Sequence, residues 1–391
     1  MKKKVLSLLT ALCLMLSLVP AAFAAGTGVT TEDALRTAVA SGGTVTLGAD
    51  INLSSPLEIN TAVVIDGTTT KYSITAPSGQ NAINASVSGV EVKNLKINVS
   101  GNGYGVNSTG SSLTVTNCEI SAVKRGISFY PANGAGAALT VTGTTIKNPN
   151  ISNYDTSAQY GDYRAVATNN VKNGTVTISN SSLLGYGYSI NALVANDSTG
   201  LRDGNGTVFN ITNTTIKGWT ALNMWSANTK FNFTNCTLVG INTLDGGMNG
   251  FSIIRANDGM YGGYTNKESV VTIKGGSMTA KQYGSALETA FTVDRELQTK
   301  FVFETYGLKK TPVDIQCYAP DGEASVFCFY PYVNIDEYLV KKVINLNSNA
   351  TQTIGDIAAF GSTAAVLNDG EFDDPTEPEI VFAANHDGGG N

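Results

Sequence analysis

Between Asn84 and Gly275 the apolar and polar positions of the chain follow one repeated phrase. An alternating run, apolar-x-apolar-x, is followed by Asn or Gly, then two small or polar residues, then another apolar one. The phrase appears at Val90–Ile97, Leu113–Ile120, Leu139–Ile146, Val176–Leu183, Phe209–Ile216, Phe231–Leu238 and Val271–Met278. Its copies begin 22 to 40 residues apart, because loops of different length separate them. Period-two alternation marks a strand with one buried face. So short a unit cannot bury that face alone. Copies must stack, and the pattern predicts an all-β solenoid whose coils are built of β-strands.

A second register lies upstream of most copies. Asn107, Asn133, Asn169, Asn196, Asn228 and Asn257 each follow another strand-like run. Six positions earlier the residues are mostly apolar: Ile127, Tyr163, Ile190, Leu222 and Phe251. The next are polar (Ser128, Arg164, Asn191, Asn223, Ser252) and the next apolar again (Phe129, Ala165, Ala192, Met224, Ile253). This alignment predicts that Ile127, Ile190, Leu222 and Phe251 share one core column. It also predicts a structural ladder of Asn133, Asn169, Asn196, Asn228 and Asn257 at a turn. Asn tolerates the left-handed conformation, and its amide can bond to the Asn of the coils above and below.

The ends of the chain depart from the phrase. Residues 1–24 read as a signal peptide: Lys2, Lys3 and Lys4, an apolar run Val5–Val19, and a small-x-small site at Ala22-Phe23-Ala24. Residues 25–43 are expected to hold a capping helix over Thr30–Ala40. Thr30 or Thr31 stands at its N-cap, Glu32 and Asp33 at its positive end, and Gly42-Gly43 stop it. Such a cap shields the first coil's core and strand edges. The β-helix with its C-terminal capping strands is expected over 44–340. Residues 341–391 read as a polar and acidic tail, with Pro375, Pro378 and a Gly-rich end.

The stretch GGTVTLGADINLSSPLEINTAVVIDG from Gly42 to Gly67, followed by repeats ending in N-x-x-I, resembles the pectate-lyase-like right-handed parallel β-helix superfamily. The resemblance spans roughly Thr44 to Gly275. It implies a right-handed parallel β-helix with a short N-terminal capping helix and an irregular C-terminal cap. That superfamily holds lyases, hydrolases, esterases, adhesins and phage tailspikes, so the fold does not choose the activity. The motifs of its enzymes are not in the repeats: no N-T-D or G-H-G, no W-I-D-H and no R-x-P-x-x-R, and the one D-D pair, Asp373-Asp374, lies in the acidic tail. The single histidine, His386, lies in the tail.

Charge and cysteines narrow the picture further. Without Lys2, Lys3 and Lys4 the 25 basic residues become 22 against 31 acidic ones, a net charge of about −9. That argues against nucleic acid or an anionic membrane as partner, and against a highly acidic polymer unless calcium mediates. No cofactor is expected, and Ca²⁺ is the one cation kept open. Cys118 and Cys236 occupy one slot of the phrase, several coils apart, and are expected as small buried core residues. Cys317 and Cys328 flank the turn signal Pro320-Asp321-Gly322 and suit a cross-strand disulfide in an exported protein.

Candidate chemistry sits in the insertions. Long loops after Asn196 and Asn257 flank a short one after Asn228, leaving a notch floored by Lys230. Its walls offer Asp197, Arg202, Asp203, Asp258, Tyr261 and Tyr264, which suit a sugar or a calcium-bridged ligand; the loops also read as simple shields of the stack. An apolar stripe runs three positions before the upstream Asn: Tyr104, Tyr130, Val166, Leu193, Trp225 and Ile254. Either a corner turns these residues inward, or the C-terminal segment covers them, or they form an exposed binding stripe centred on Tyr130 and Trp225. Lys124-Arg125 reads as two solvated charges at a turn. Asp155, Asp162 and Arg164 read as part of an ordered loop.

These features predict an exported, adhesin-like protein, secreted or held at the cell surface, that binds a glycan or a partner without catalysing a reaction. The competing reading is a divergent polysaccharide lyase or glycoside hydrolase. No catalytic residue and no metal ligand is assigned.

Overall fold

The computed structural model describes residues 28–149, 162–194 and 202–242, and beyond them separate strands from Ser252–Ala256 to Phe382–Asn385. Each coil contains three strand positions, illustrated by Ser112–Thr116, Glu119–Ala122 and Arg125–Phe129. Every one of these pairs in parallel with its counterpart one coil on: Ala138–Thr142, Thr145–Lys147 and Arg164–Asn169. The first two positions of all coils run into one 19-stranded sheet and the third into a 10-stranded sheet. The protein is a parallel β-helix.

The register follows the repeated phrase. Val45, Ile65, Val92, Val115, Val141, Ile178, Ile211, Phe233 and Ile273 pair successively and form one buried column. In the neighbouring column Phe209 stacks on Phe231 with ring centroids 4.5 Å apart. Each fully buried side chain of this size contributes roughly 1.5–3 kcal/mol. In the third-strand sheet the core column is Ile127–Val166–Ile190–Leu222–Ile254. Three of its members match the sequence expectation. Val166 takes the place given to Tyr163, and Ile254 the place given to Phe251, which lies outside the described residues. Both slips are of three residues, because those strands start later relative to the next Asn than the common spacing implies.

The Asn ladder forms at a different corner from the one expected. Asn94, Asn117, Asn180, Asn213 and Asn235, the Asn of the phrase itself, all have φ between 49° and 53°. Here the first strand turns sharply into the second, and only a left-handed residue makes that turn. Asn117 donates to Asn94 Oδ1 at 2.7 Å, Asn94 to Asp66 Oδ1 at 2.9 Å, and Asn213 to Asn180 Oδ1 at 3.3 Å. Gly143 (φ 58°) takes the same corner between Asn117 and Asn180. The upstream residues do not form one column. Asn133 caps its own turn by accepting from the Ala135 N–H. Asn169 pairs with Leu193, and Asn228 donates to Asp203 Oδ1. Asn196 and Asn257 lie outside the described residues.

The residue after the corner Asn forms a second ladder, buried. Thr144, Ser181 and Thr214 each donate to the carbonyl two residues back and accept an N–H from the preceding coil. Cys118 and Cys236 occupy the same slot as free, buried thiols that donate to the equivalent carbonyls.

The helix Glu32–Ser41 covers the first coil, with Leu35, Ala38 and Val39 buried. Thr31 caps it by accepting the Ala34 N–H, and Gly42 (φ 73°) ends it. Glu32 pairs with Arg36 and accepts the Ser54 N–H, while Arg36 donates to the Pro56 carbonyl, so the cap is tied to the coil beneath it. At the other end Cys317 and Cys328 lie on strands of different sheets, Val313–Tyr318 and Ala324–Phe329. Those strands are not a hairpin pair, and the side chains of both cysteines lie outside the described residues. Leu346–Ser348 extends the first sheet past residue 340, and Ala364–Leu367 pairs antiparallel with Phe382–Asn385. The signal segment lies outside the described residues.

Two tests follow from this packing. Asn117→Ala should cost about 1–3 kcal/mol in the urea midpoint, combining the left-handed penalty with a lost ladder bond. Asn117→Gly should cost less, because it keeps the backbone free to turn. Equal losses would show that the corner conformation is not what Asn117 supplies. Burial pushes the Cys118 thiol up to about 11, so it should stay protonated in the folded protein at pH 9. Mass spectrometry should then find Cys118 resistant to iodoacetamide until denaturant is added.

Candidate functional site

The outer face of the third-strand sheet should be solvated in an isolated solenoid. Instead it is buried from the fourth described coil onward: Ser128, Asn191 and Asn223 project from it, yet none is exposed. Asn223 donates to Asn191 Oδ1 at 2.7 Å across the strands. At the entrance to these strands one column runs Tyr104, Arg125, Arg164, Tyr188, Thr220. Two guanidiniums and two phenols thus occupy successive rungs, about 4.8 Å apart. Gly126 follows Arg125 because its backbone approaches the second-strand corner so closely that a Cβ there would collide with Ile146.

Arg125 is the hub of this column. Its Nε donates to Asp162 Oδ1 at 2.8 Å and its NH1 to Ser128 Oγ at 3.1 Å. The guanidinium lies 4.8 Å from the Tyr104 ring centroid and 4.7 Å from that of Tyr130. Tyr104 Oη donates to the other Asp162 oxygen at 3.1 Å. Burial works against the Arg125 charge, but the bond to Asp162 and the surrounding phenols outweigh it and hold the pKa above its ordinary value. Burial also raises the phenols of Tyr104 and Tyr130, against the opposing pull of Arg125. Both stay protonated at neutral pH. Arg125 is therefore an ion-paired, aromatic-sandwiched group and not the solvated turn charge that its pairing with Lys124 suggested.

Arg164 stands one rung on, packed 4.4 Å from the Tyr188 ring centroid. Its burial and the like charge of Arg125 depress its pKa, against the pull of Tyr188 and Asp162. Around it lies an aromatic cluster: Tyr163 meets Tyr186 edge-on at 5.2 Å, Tyr188 lies 6.1 Å from Trp219, and Lys124 sits 4.6 Å from the Tyr163 centroid.

Asn148 fixes this arrangement from beneath. It is fully buried, and its amide donates to the carbonyls of Ala122 at 2.7 Å and Lys124 at 3.0 Å, and more weakly to that of Arg164. Its Oδ1 accepts the Tyr186 N–H at 2.8 Å. One side chain thus joins the approaches to the Arg125, Arg164 and Tyr188 strands. Nothing in the sequence pattern singled it out, because an Asn just beyond a phrase looks like any other turn residue.

The predicted stripe is partly assembled. Tyr130, Leu193 and Trp225 share a half-buried outward column with Asn169 between the first two, whereas Val166 and Ile254 belong to the core and Tyr104 to the arginine column. A guanidinium covers each ring: Arg125 over Tyr130, and Arg202 over Trp225 at 5.2 Å. Of the predicted notch, Arg202 donates to the Val194 carbonyl. Asp203 closes a turn by accepting from the Asn205 N–H and the Asn228 amide. Lys230 is exposed on the 19-stranded sheet between Val208 and Val270. Asp197, Asp258, Tyr261 and Tyr264 lie outside the described residues, as does Asp155. Among the described residues no group of three or more His, Cys, Asp or Glu is close enough to hold a metal ion, and no helix is long and apolar enough to cross a membrane.

Compared with protein-family models, with curated proteins and with solved structures, the chain matches none.

Replacing Asn148 by Ala removes its bonds to three carbonyls and the side-chain acceptor of the Tyr186 N–H in a buried corner. The expected loss is about 2–4 kcal/mol, larger than for one exposed hydrogen bond. Near-ultraviolet circular dichroism should report loosened tyrosine packing before global unfolding. A variant with wild-type stability and an unchanged aromatic signal would show that Asn148 does not organise the cluster.

Proposed function

We propose that this protein is an exported β-helix, secreted or held at the cell surface, that binds a glycan along the half-buried Tyr130–Leu193–Trp225 column at the end of its third strands. The Tyr130–Leu193–Trp225 column with its two guanidiniums carries this reading. Aromatic faces supply area for the apolar faces of sugar rings, and arginine, amide and phenol groups alongside supply hydrogen bonds. A stripe parallel to the solenoid axis suits an extended chain of sugars better than a compact ligand. The phenol of Tyr130, kept protonated by burial, favours binding over proton abstraction. Export is supported by the signal-like first 24 residues. The repeated phrase and parallel coils support kinship with the pectate-lyase-like superfamily, as a divergent, adhesin-like member.

The test is retention of the purified protein on a panel of immobilised plant and host polysaccharides, with reducing ends and unsaturated products followed in parallel. Binding to at least one polymer without new ends is the expected result. Trp225→Ala and Tyr130→Ala should each weaken it about fivefold or more, from a stacking contribution near 1 kcal/mol. Accumulating unsaturated ends would replace this reading by a lyase, and no retention on any polymer would remove glycan binding.

A further inference from the structure

Arg125 and Arg164 occupy the same register position on adjacent strands, yet their surroundings differ. Arg125 has a carboxylate, a hydroxyl and two rings. Arg164 is 8% exposed and its Nε has no hydrogen-bond partner. Its NH1 reaches only the Tyr163 carbonyl, at 3.5 Å. Among the described residues no carboxylate lies within ion-pair distance of it, and Asp162 is committed to Arg125 and Tyr104. Among the described residues, two positive charges therefore share one negative charge in a place largely closed to water. A buried guanidinium without a counter-charge is strongly unfavourable, because the lost hydration is not replaced. Its planar fork matches a two-oxygen anionic group better than any other partner.

We propose that Arg164 is the receptor for an oxoanion, a carboxylate or sulfate carried on the bound sugar, held beside the Tyr130 and Tyr188 rings. The specificity part of this inference rests on the glycan-binding reading. The anion site itself rests on Arg164 alone. In this arrangement the Tyr130–Trp225 column selects for a sugar chain, and Arg164 selects for a charged residue at one place along it. The anion restores neutrality to the Arg125–Asp162–Arg164 group. The strongly acidic protein as a whole repels polyanions, so a single localised charge is favoured over a densely charged polymer.

The experiment compares wild type with Arg164→Met, which keeps volume and removes charge. Glucuronate, glucose 6-sulfate and glucose are titrated by calorimetry, and thermal midpoints are recorded with and without sodium sulfate. The proposal expects at least one charged sugar to bind tenfold or more tighter than glucose, with that preference lost in Arg164→Met. It also expects sulfate or glucuronate to raise the wild-type midpoint by several degrees more than that of the variant. The stronger of the carboxylate and sulfate arms identifies the group. Arg164→Gln is measured alongside, so that a folding defect in one variant does not decide the result. Equal affinity for charged and neutral sugars in wild type, or a preference that survives both substitutions, overturns the anion site while leaving glycan binding intact. Failure of every sugar to bind, with an Arg164-dependent effect of sulfate on the midpoint, removes the glycan reading and keeps the anion site. No Arg164-dependent effect of any anion removes the site altogether.

Discussion

Everything in this molecule depends on the parallel hydrogen-bonded register between successive coils. No coil has enough apolar surface to stand alone, and its three short strands have no partners within the coil. Each must place its backbone groups against the coil before it. Once one strand is in register, every residue above and below inherits its column. The consequence is economy of chemistry: Val115, Asn117 and Arg125 each define what their column does for several coils on either side. The corner Asn makes this register rigid. Its left-handed φ fixes where the first strand ends, and its amide, donated to the preceding coil, forbids a slip by one residue, which would turn the buried face outward.

The same constraint explains why chemistry gathers on the third-strand sheet. The first-to-second corner is nearly invariant in length, so the strands on either side of it stay regular. Length varies after the second and third strands, where the chain can leave and rejoin the stack without breaking the register. Asp162 and Tyr163 enter from such an excursion and meet Arg125 and Lys124. Asn148, at the start of the same excursion, holds the backbone of three neighbouring strands to one amide. The arginine–tyrosine column is thus the product of a regular scaffold meeting an irregular insertion.

Electrostatics then decides the character of that column. Guanidiniums stacked on phenols keep their charge at modest cost because the ring faces are negative. The phenols in turn are kept protonated by burial. Arg125 with Asp162 is a closed account of charge; Arg164 is not, which is why the two residues of one column carry different expectations.

The sequence by itself determined the all-β solenoid, the phrase that builds its first two strands, most of the third-strand core column and the N-terminal cap. Alternation and turn residues are local, and stacking follows from their repetition. It misplaced the Asn ladder, because an Asn after a strand looks the same whether it turns left-handed into the next strand or caps a loop. The slips at Val166 and Ile254 have the same origin: an Asn downstream fixes the register only when the intervening loop has constant length. Only the tertiary structure decided that Arg125 is half-buried between two rings, that Asp162 serves it from a distant insertion, that Asn148 holds the corner, and that Arg164 finds no counter-charge among the described residues. Those facts depend on which residues of non-adjacent loops meet across the coils, and no spacing along a single chain encodes that meeting.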